Sequence, residues 1–252
     1  EPLPVTYTKA MAFCLWNFNT WGDIFSKREL ATLNVLMEQL DMLEINTIQS
    51  EYKIILKTYL SIFFNRVLSR ETTFGLWNTI GEKIEHPFGK SAIQMVFDYP
   101  ESNPFALTGG GALNQLEWIL RYIESESAPF NYTTCVNSTS GDKNQFEKEY
   151  IDSVITDPPY YDAVAYADLS DFFYVWLKKN LHKEYPLTFS TPQTPKSDEC
   201  TALKHHHKED SIKAKLHFER KLLEIFDSIR NQTKDTVSIM YAHQSTGAWT
   251  TL

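Results

Sequence analysis

Apolar residues fall at steps of three and four through Leu30, Leu33, Met37, Leu40 and Leu43, the stripe of an amphipathic helix. Ser26 and Glu29 just ahead of it have the spacing of a capping box, which sets the helix start. A second stripe runs through Tyr52, Ile55, Leu56, Tyr59, Ile62, Phe63 and Leu68, and two antiparallel helices are the simplest packing for the pair. Beyond Phe74 the pattern changes. Strands are predicted over Ile93–Tyr99, Tyr132–Asn137, Asp152–Thr156 and Thr236–Tyr241, with helices over Ala112–Glu124, Asp168–Leu181 and Ser211–Asn231. The helix over Asp168–Leu181 is apolar on almost every side and is expected to be buried. Strands alternating with helices in this way predict an α/β fold with a mainly parallel sheet. The division expected is a helical segment over 1–72 packing on a core over 73–252, with the polar stretch 183–210 as an inserted loop.

With 252 residues, 42% of them hydrophobic and 14% aromatic, the chain can bury a sizeable core. No run of about eighteen apolar residues and no secretory pattern occurs, so a cytoplasmic protein without membrane contact is expected. Cys14, Cys135 and Cys200 are odd in number, far apart and without any CxxC pair, which argues against a disulfide framework or a zinc ribbon in this segment. The formal charge of −8 counts against a protein that grips nucleic acid over its whole surface. Charge is unevenly spread, however: Lys178, Lys179, Lys183, Lys196 and Lys204 make the region up to Lys208 locally basic. The chain starts at Glu1 without a methionine, and it is expected to be a piece of something longer.

The segment SVITDPPYYD, Ser153–Asp162, carries the chemistry. A strand that ends directly at Asp157 delivers it to the carboxyl edge of a sheet, where α/β proteins gather their ligands. An exocyclic ring amine is a poor nucleophile, because its lone pair is delocalised into the ring. A carboxyl group and a backbone carbonyl that both accept from the NH2 favour a more tetrahedral nitrogen. Asp157 and the carbonyl of Pro158 are the candidate acceptors. Pro158 and Pro159 stiffen the turn and fix where its carbonyls point, which is positioning for an in-line transfer. Tyr160 offers a face on which an extruded base can stack, and Tyr161 and Tyr166 extend that aromatic surface. Asp157, Pro158, Pro159 and Tyr160 are therefore the candidate catalytic residues, and direct transfer without a covalent intermediate is expected, since no cysteine lies near the turn.

The block TDPPYYDAVAYADLSDFFYVWLKK, Thr156–Lys179, resembles a family of microbial adenine-specific DNA methylases. TWGDIFSKREL, FGKSAIQMVFDYPESNPF, TPKSDE and AHQSTGAW resemble further blocks of that family, in its order, so the likeness spans most of the chain. It implies a Rossmann-like methyltransferase sheet flanked by helices, S-adenosylmethionine as donor and the amino group of a flipped adenine in duplex DNA as acceptor. Similar turns also serve enzymes acting on RNA guanine or on protein glutamine. The chain departs from the family in one respect. The upstream glycine-rich block of DPFxGGG type, against which the cofactor's methionine end lies in similar proteins, is not found. Asn103-Pro104-Phe105 with Gly109-Gly110-Gly111 imitates it at longer spacing and is read as a loop before a helix. If that block was cut away, the chain holds half of the cofactor pocket; a non-catalytic nucleic-acid-binding or regulatory domain is the rival reading, with an RNA amino methyltransferase as a third.

Asn137 and Ser138, ending the strand before the DPPY strand, are candidate contacts for the cofactor together with Asp157. The five lysines named above suit phosphates of the DNA backbone. His205, His206 and His207 are adjacent in a loop without a spaced acidic or cysteine partner, and no metal is expected there. His243 is placed at the carboxyl end of the last strand.

Overall fold

The computed structural model of the protein describes residues 3, 11–43, 50–89, 91–107, 109–127 and 139–242. The fold is mixed α/β, and it separates into two compact units. One holds Glu1–Pro129 with Ala167–Pro195, the other Phe130–Tyr166 with Lys196–Leu252. That line differs from the division expected at residue 72, because the buried helix after the DPPY turn packs with the N-terminal helices.

The first unit holds helices α1 (Lys27–Asp41), α2 (Ser50–Leu68), α3 (Ala112–Glu126) and α4 (Tyr166–Leu181, entering this unit at Ala167); α2 and α4 contribute Phe64, Phe172 and Trp176 to an aromatic core, and α3 packs on α2. The capping box at the start of α1 forms as its sequence requires: Glu29 N donates to Ser26 Oγ and Ser26 N to Glu29 Oε2. Phe172 of α4 is fully buried and meets Trp21, Phe25, Phe88 and Phe173 within 6.0 Å between ring centroids. Trp176, one turn further on, meets Phe25 and Phe64. Beyond α2 the chain is pinned through one acceptor: the Ile24 carbonyl receives Thr72 Oγ1, Thr73 Oγ1 and Thr73 N. α4 is buried along Asp168, Asp171, Phe172, Tyr174, Asn180 and Leu181, whereas Val175, Trp176 and Leu177 are half-buried, so the expected all-round burial holds on one side only.

Among the described residues, four carboxyls are enclosed in this unit, those of Glu29, Glu71, Asp168 and Asp171. Glu29 is 2% and Glu71 1% exposed, and each leaves one oxygen without a hydrogen-bond partner among the described residues. Burial pushes the Glu71 carboxyl up to about 7, against a hydrogen bond from Ser102 and with the charges of Glu29 and Glu101 adding to the rise. Burial also raises Glu29, against its bonds from Ser26.

Four short strands complete the unit as two antiparallel pairs, β1 (Leu76–Asn78) with β2 (Lys83–Glu85) and β3 (Phe88–Gly89) with β4 (Ala92–Ile93). The strand expected over Ile93–Tyr99 is thus cut to its first residue. At the far end of the expected strand, Tyr99 adopts a left-handed φ of 43°, which is not a strand conformation.

In the second unit, β5 (Ile151–Thr156) and β6 (Thr233–Ile239) pair in parallel, with Ser153 opposite Thr236 and Thr156 opposite Ile239. Met240 N extends the ladder to the Thr156 carbonyl at 2.9 Å. Between them in sequence, α5 (Ser211–Gln232) is capped by Asp210, whose carboxyl accepts from Ile212 N and Lys213 N. Its inner face packs Phe218 and Leu222 with Cys200 and Ala202. The described residues thus form three two-stranded sheets, of which one is parallel. The segment Tyr132–Asn137, expected as a neighbouring strand, lies outside the described residues. No helix among the described residues is long and apolar enough to cross a membrane.

Candidate functional site at the end of the parallel strands

β5 ends at Thr156, and Asp157 leaves the ladder at its carboxyl end as an exposed residue followed by a buried Pro158. The turn is closed by two backbone bonds, Tyr161 N to the Pro159 carbonyl at 3.3 Å and Ala163 N to the Tyr160 carbonyl at 2.8 Å. Tyr161 takes a left-handed φ of 41°, a conformation a non-glycine residue holds only when its surroundings fix it. Those surroundings are visible. Its ring stands edge-on to Phe218 of α5 at 5.1 Å, and its carbonyl accepts from Ala202 N at 2.8 Å. The proline turn is thereby anchored to the core of its unit.

Tyr160 and Tyr166 neighbour Asp157, and Tyr241 neighbours Tyr160. The Tyr160 phenol donates to the Asp157 carboxyl, and that bond, with burial and the nearby aspartate charge, raises its pKa above that of an ordinary tyrosine. Tyr166 is raised chiefly by burial, then by the charges of Asp157 and Glu199, and its hydroxyl oxygen accepts from the backbone N–H of Tyr160. Tyr241, just past β6, stands edge-on to Tyr160 with ring centroids 5.7 Å apart. A carboxyl group has about four lone-pair sites, so Asp157 can hold Tyr160 through one oxygen and still accept an amine N–H.

Of the residues read from the sequence, Asp157, Pro158, Pro159, Tyr160 and Tyr166 come together at this strand end, while the Tyr161 ring turns to α5. Asn137, Ser138 and His243 lie outside the described residues. Of the lysines, Lys178, Lys179 and Lys183 belong to the first unit, and Lys196 and Lys204 to the second. The stretch 183–210 is more ordered than a solvated insertion. Phe189 packs on Tyr174 and Leu181 in the first unit, and Thr201, Cys200 and Ala202 are buried in the second.

No family model, no curated protein and no solved structure matches the chain.

Two features escaped the sequence. Tyr241 could have been noticed as an aromatic residue at the end of a strand, the same signal that pointed to His243. The histidines of the short 3-10 helix Lys204–His207 are not merely solvated: His207 lies 4.7 Å, ring to ring, from His217 of α5. His217 Nε2 bonds the Glu199 carbonyl at 2.9 Å, and its Nδ1 faces Arg220 Nη2 at 3.4 Å. Arg220 can only donate, so Nδ1 accepts and Nε2 carries the proton, which commits both ring nitrogens to packing contacts. No sequence spacing announces this arrangement, since it depends on a loop folding back on a helix.

Proposed function

We propose that the protein is an S-adenosylmethionine-dependent methyltransferase acting on the exocyclic amino group of adenine in DNA, with a Rossmann-like sheet of which β5 and β6 are two strands. The observation that carries this reading is Asp157 at the carboxyl end of a parallel strand, bonded by Tyr160 and neighboured by Tyr166, on a turn stiffened by two prolines.

Asp157 accepts one N–H of the amine and Pro158 offers its carbonyl to the other, which draws the nitrogen toward tetrahedral geometry. Tyr160 holds the carboxyl in place by its hydrogen bond. Its ring, braced edge-on by Tyr241, provides the flat contact for a base taken out of the stack. S-adenosylmethionine, when bound, supplies the electrophilic methyl group. The side chains at the strand end suit its sulfonium, since one carboxyl group and the rings of Tyr160, Tyr166 and Tyr241 all favour a cation. Asn137 and Ser138 are the proposed contacts to the rest of the donor.

The test is transfer of a labelled methyl group to adenine-containing duplex DNA by the wild-type chain, by Asp157→Ala and by Tyr160→Phe. The reading expects transfer by the wild type, none by Asp157→Ala, and a partial loss in Tyr160→Phe, which keeps the ring and removes the bond to Asp157. Label appearing in RNA and not in DNA would overturn the acceptor. Donor binding without transfer to either would leave a nucleic-acid-binding or regulatory domain.

A further inference from the structure

The C-terminal half of α4 and the facing side of α1 enclose a cleft of ≈ 500 Å³ within the first unit, and nothing in the proposed catalysis uses it. Its walls are Trp21, Leu30, Val175 and Trp176, and its polar border is Asn34, Lys178, Lys179 and His182. Among the described residues, no carboxylate lines it. Lys178 Nζ donates to the Thr191 carbonyl at 2.7 Å and Lys179 Nζ to Asn34 Oδ1 at 3.0 Å, both neutral acceptors. Among the described residues, no carboxylate forms an ion pair with either lysine. Lysines in the last turn of a helix are favoured by its dipole in any case. These two differ in bordering an apolar cleft with their charge unneutralised, in a chain whose net charge is −8.

We propose that this cleft binds one nucleotide of a single strand of DNA, its base against Trp176 and Leu30 and its phosphate at Lys178 and Lys179. The size is that of an ordinary ligand pocket. A flat apolar wall beside two cations is the combination that holds a nucleotide by stacking and charge together, without reading its sequence. The donors at the border offer nothing to a cationic ligand, and the apolar wall gains nothing from inorganic phosphate alone. The inference rests on the nucleic-acid reading above and gives it a second anchor, one that does not depend on Asp157.

Binding is measured by fluorescence anisotropy of a labelled oligothymidylate of roughly 4–16 nucleotides, over a series of salt concentrations. Lys178→Gln with Lys179→Gln is expected to weaken binding on the order of tenfold and to lower the salt slope by about 0.7 for each phosphate that is no longer neutralised. Asn34→Asp, nearly isosteric and on the surface of α1, places a carboxylate where Lys179 already bonds and is expected to weaken binding as well. Inorganic tripolyphosphate should compete poorly, because it cannot use the apolar wall. Unchanged affinity and slope in both variants would overturn the proposal. So would competition by tripolyphosphate equal to that of the oligonucleotide, or a preference for oligouridylate. Asp157→Ala separates this inference from the catalytic reading: methyl transfer abolished with oligonucleotide binding kept is expected if both hold. Transfer by the wild type with binding indifferent to the cleft variants would sink this inference alone.

Discussion

Replacing Glu71 by glutamine should stabilise the protein at alkaline pH and do little at acid pH. Glu71 is 1% exposed, and burial, with Glu29 and Glu101 nearby, lifts its carboxyl from 4.5 to about 7 against the Ser102 hydrogen bond. A carboxyl whose folded pKa exceeds its unfolded one favours the folded state only while protonated. Below the unfolded value both states carry the proton and there is no penalty. Stability then falls as pH rises through the interval from 4.5 to about 7, and above it the full penalty is felt. The interval from 4.5 to about 7, at about 1.36 kcal/mol for each tenfold change in proton affinity, is worth roughly 3 kcal/mol. For a chain of this size that corresponds to about 6–12 °C in Tm. Glutamine keeps an acceptor for Ser102 and never ionises, so its advantage should be about 3 kcal/mol at pH 8 and near zero at pH 4.5. Urea unfolding followed by tryptophan emission is the assay, since Trp16, Trp21, Trp77, Trp118 and Trp176 all belong to the unit that holds Glu71. A Glu71→Gln curve that runs parallel to the wild type across pH 4.5–8 would refute the reasoning.

Two further perturbations address the cores of the separate units. Phe172→Ala should destabilise the first unit by about 3–5 kcal/mol, because a fully buried ring packed against four others leaves a cavity its neighbours cannot all fill; thermal unfolding checks this. In the second unit Lys221 and Asp142 form an ion pair with side chains 11% and 12% exposed, and Lys221→Met should cost about 1.5–3 kcal/mol by removing the charged partner of the half-buried Asp142 carboxylate, which keeps its bond from Ser140. The bond from Lys221 holds the Asp142 carboxyl below its ordinary range, so the contribution is present above the unfolded pKa of about 4 and disappears as pH falls through the depressed folded value. Equal destabilisation by Lys221→Met at pH 7 and pH 2, measured by urea titration, would contradict that account.

The two helices that the stripes mark, the Ser26–Glu29 cap and the strand running into Asp157 were legible in the chain, because each is set by residues within a few positions of one another, although Tyr52, Ile55 and Ile62 of the second stripe are exposed. The same holds for the DPPY turn: two prolines and the aromatic residues beside them specify its stiffness locally. What the sequence could not show is which distant pieces share a core. Nothing in the stripe of α4 says that it joins the N-terminal helices, or that the stretch after it divides between the two units. The fate of the three tyrosines was equally hidden. Tyr160 turns to Asp157 and Tyr241, while Tyr161, its neighbour, is drawn to Phe218 fifty-seven residues away, and only packing distinguishes them. The raised Glu71 carboxyl and the unneutralised lysines beside Trp176 belong to the same class of fact. A pKa shift and an unneutralised charge depend on burial and on partners remote in the chain, so composition and spacing determine the elements and the motif, and tertiary structure alone decides the electrostatics around them.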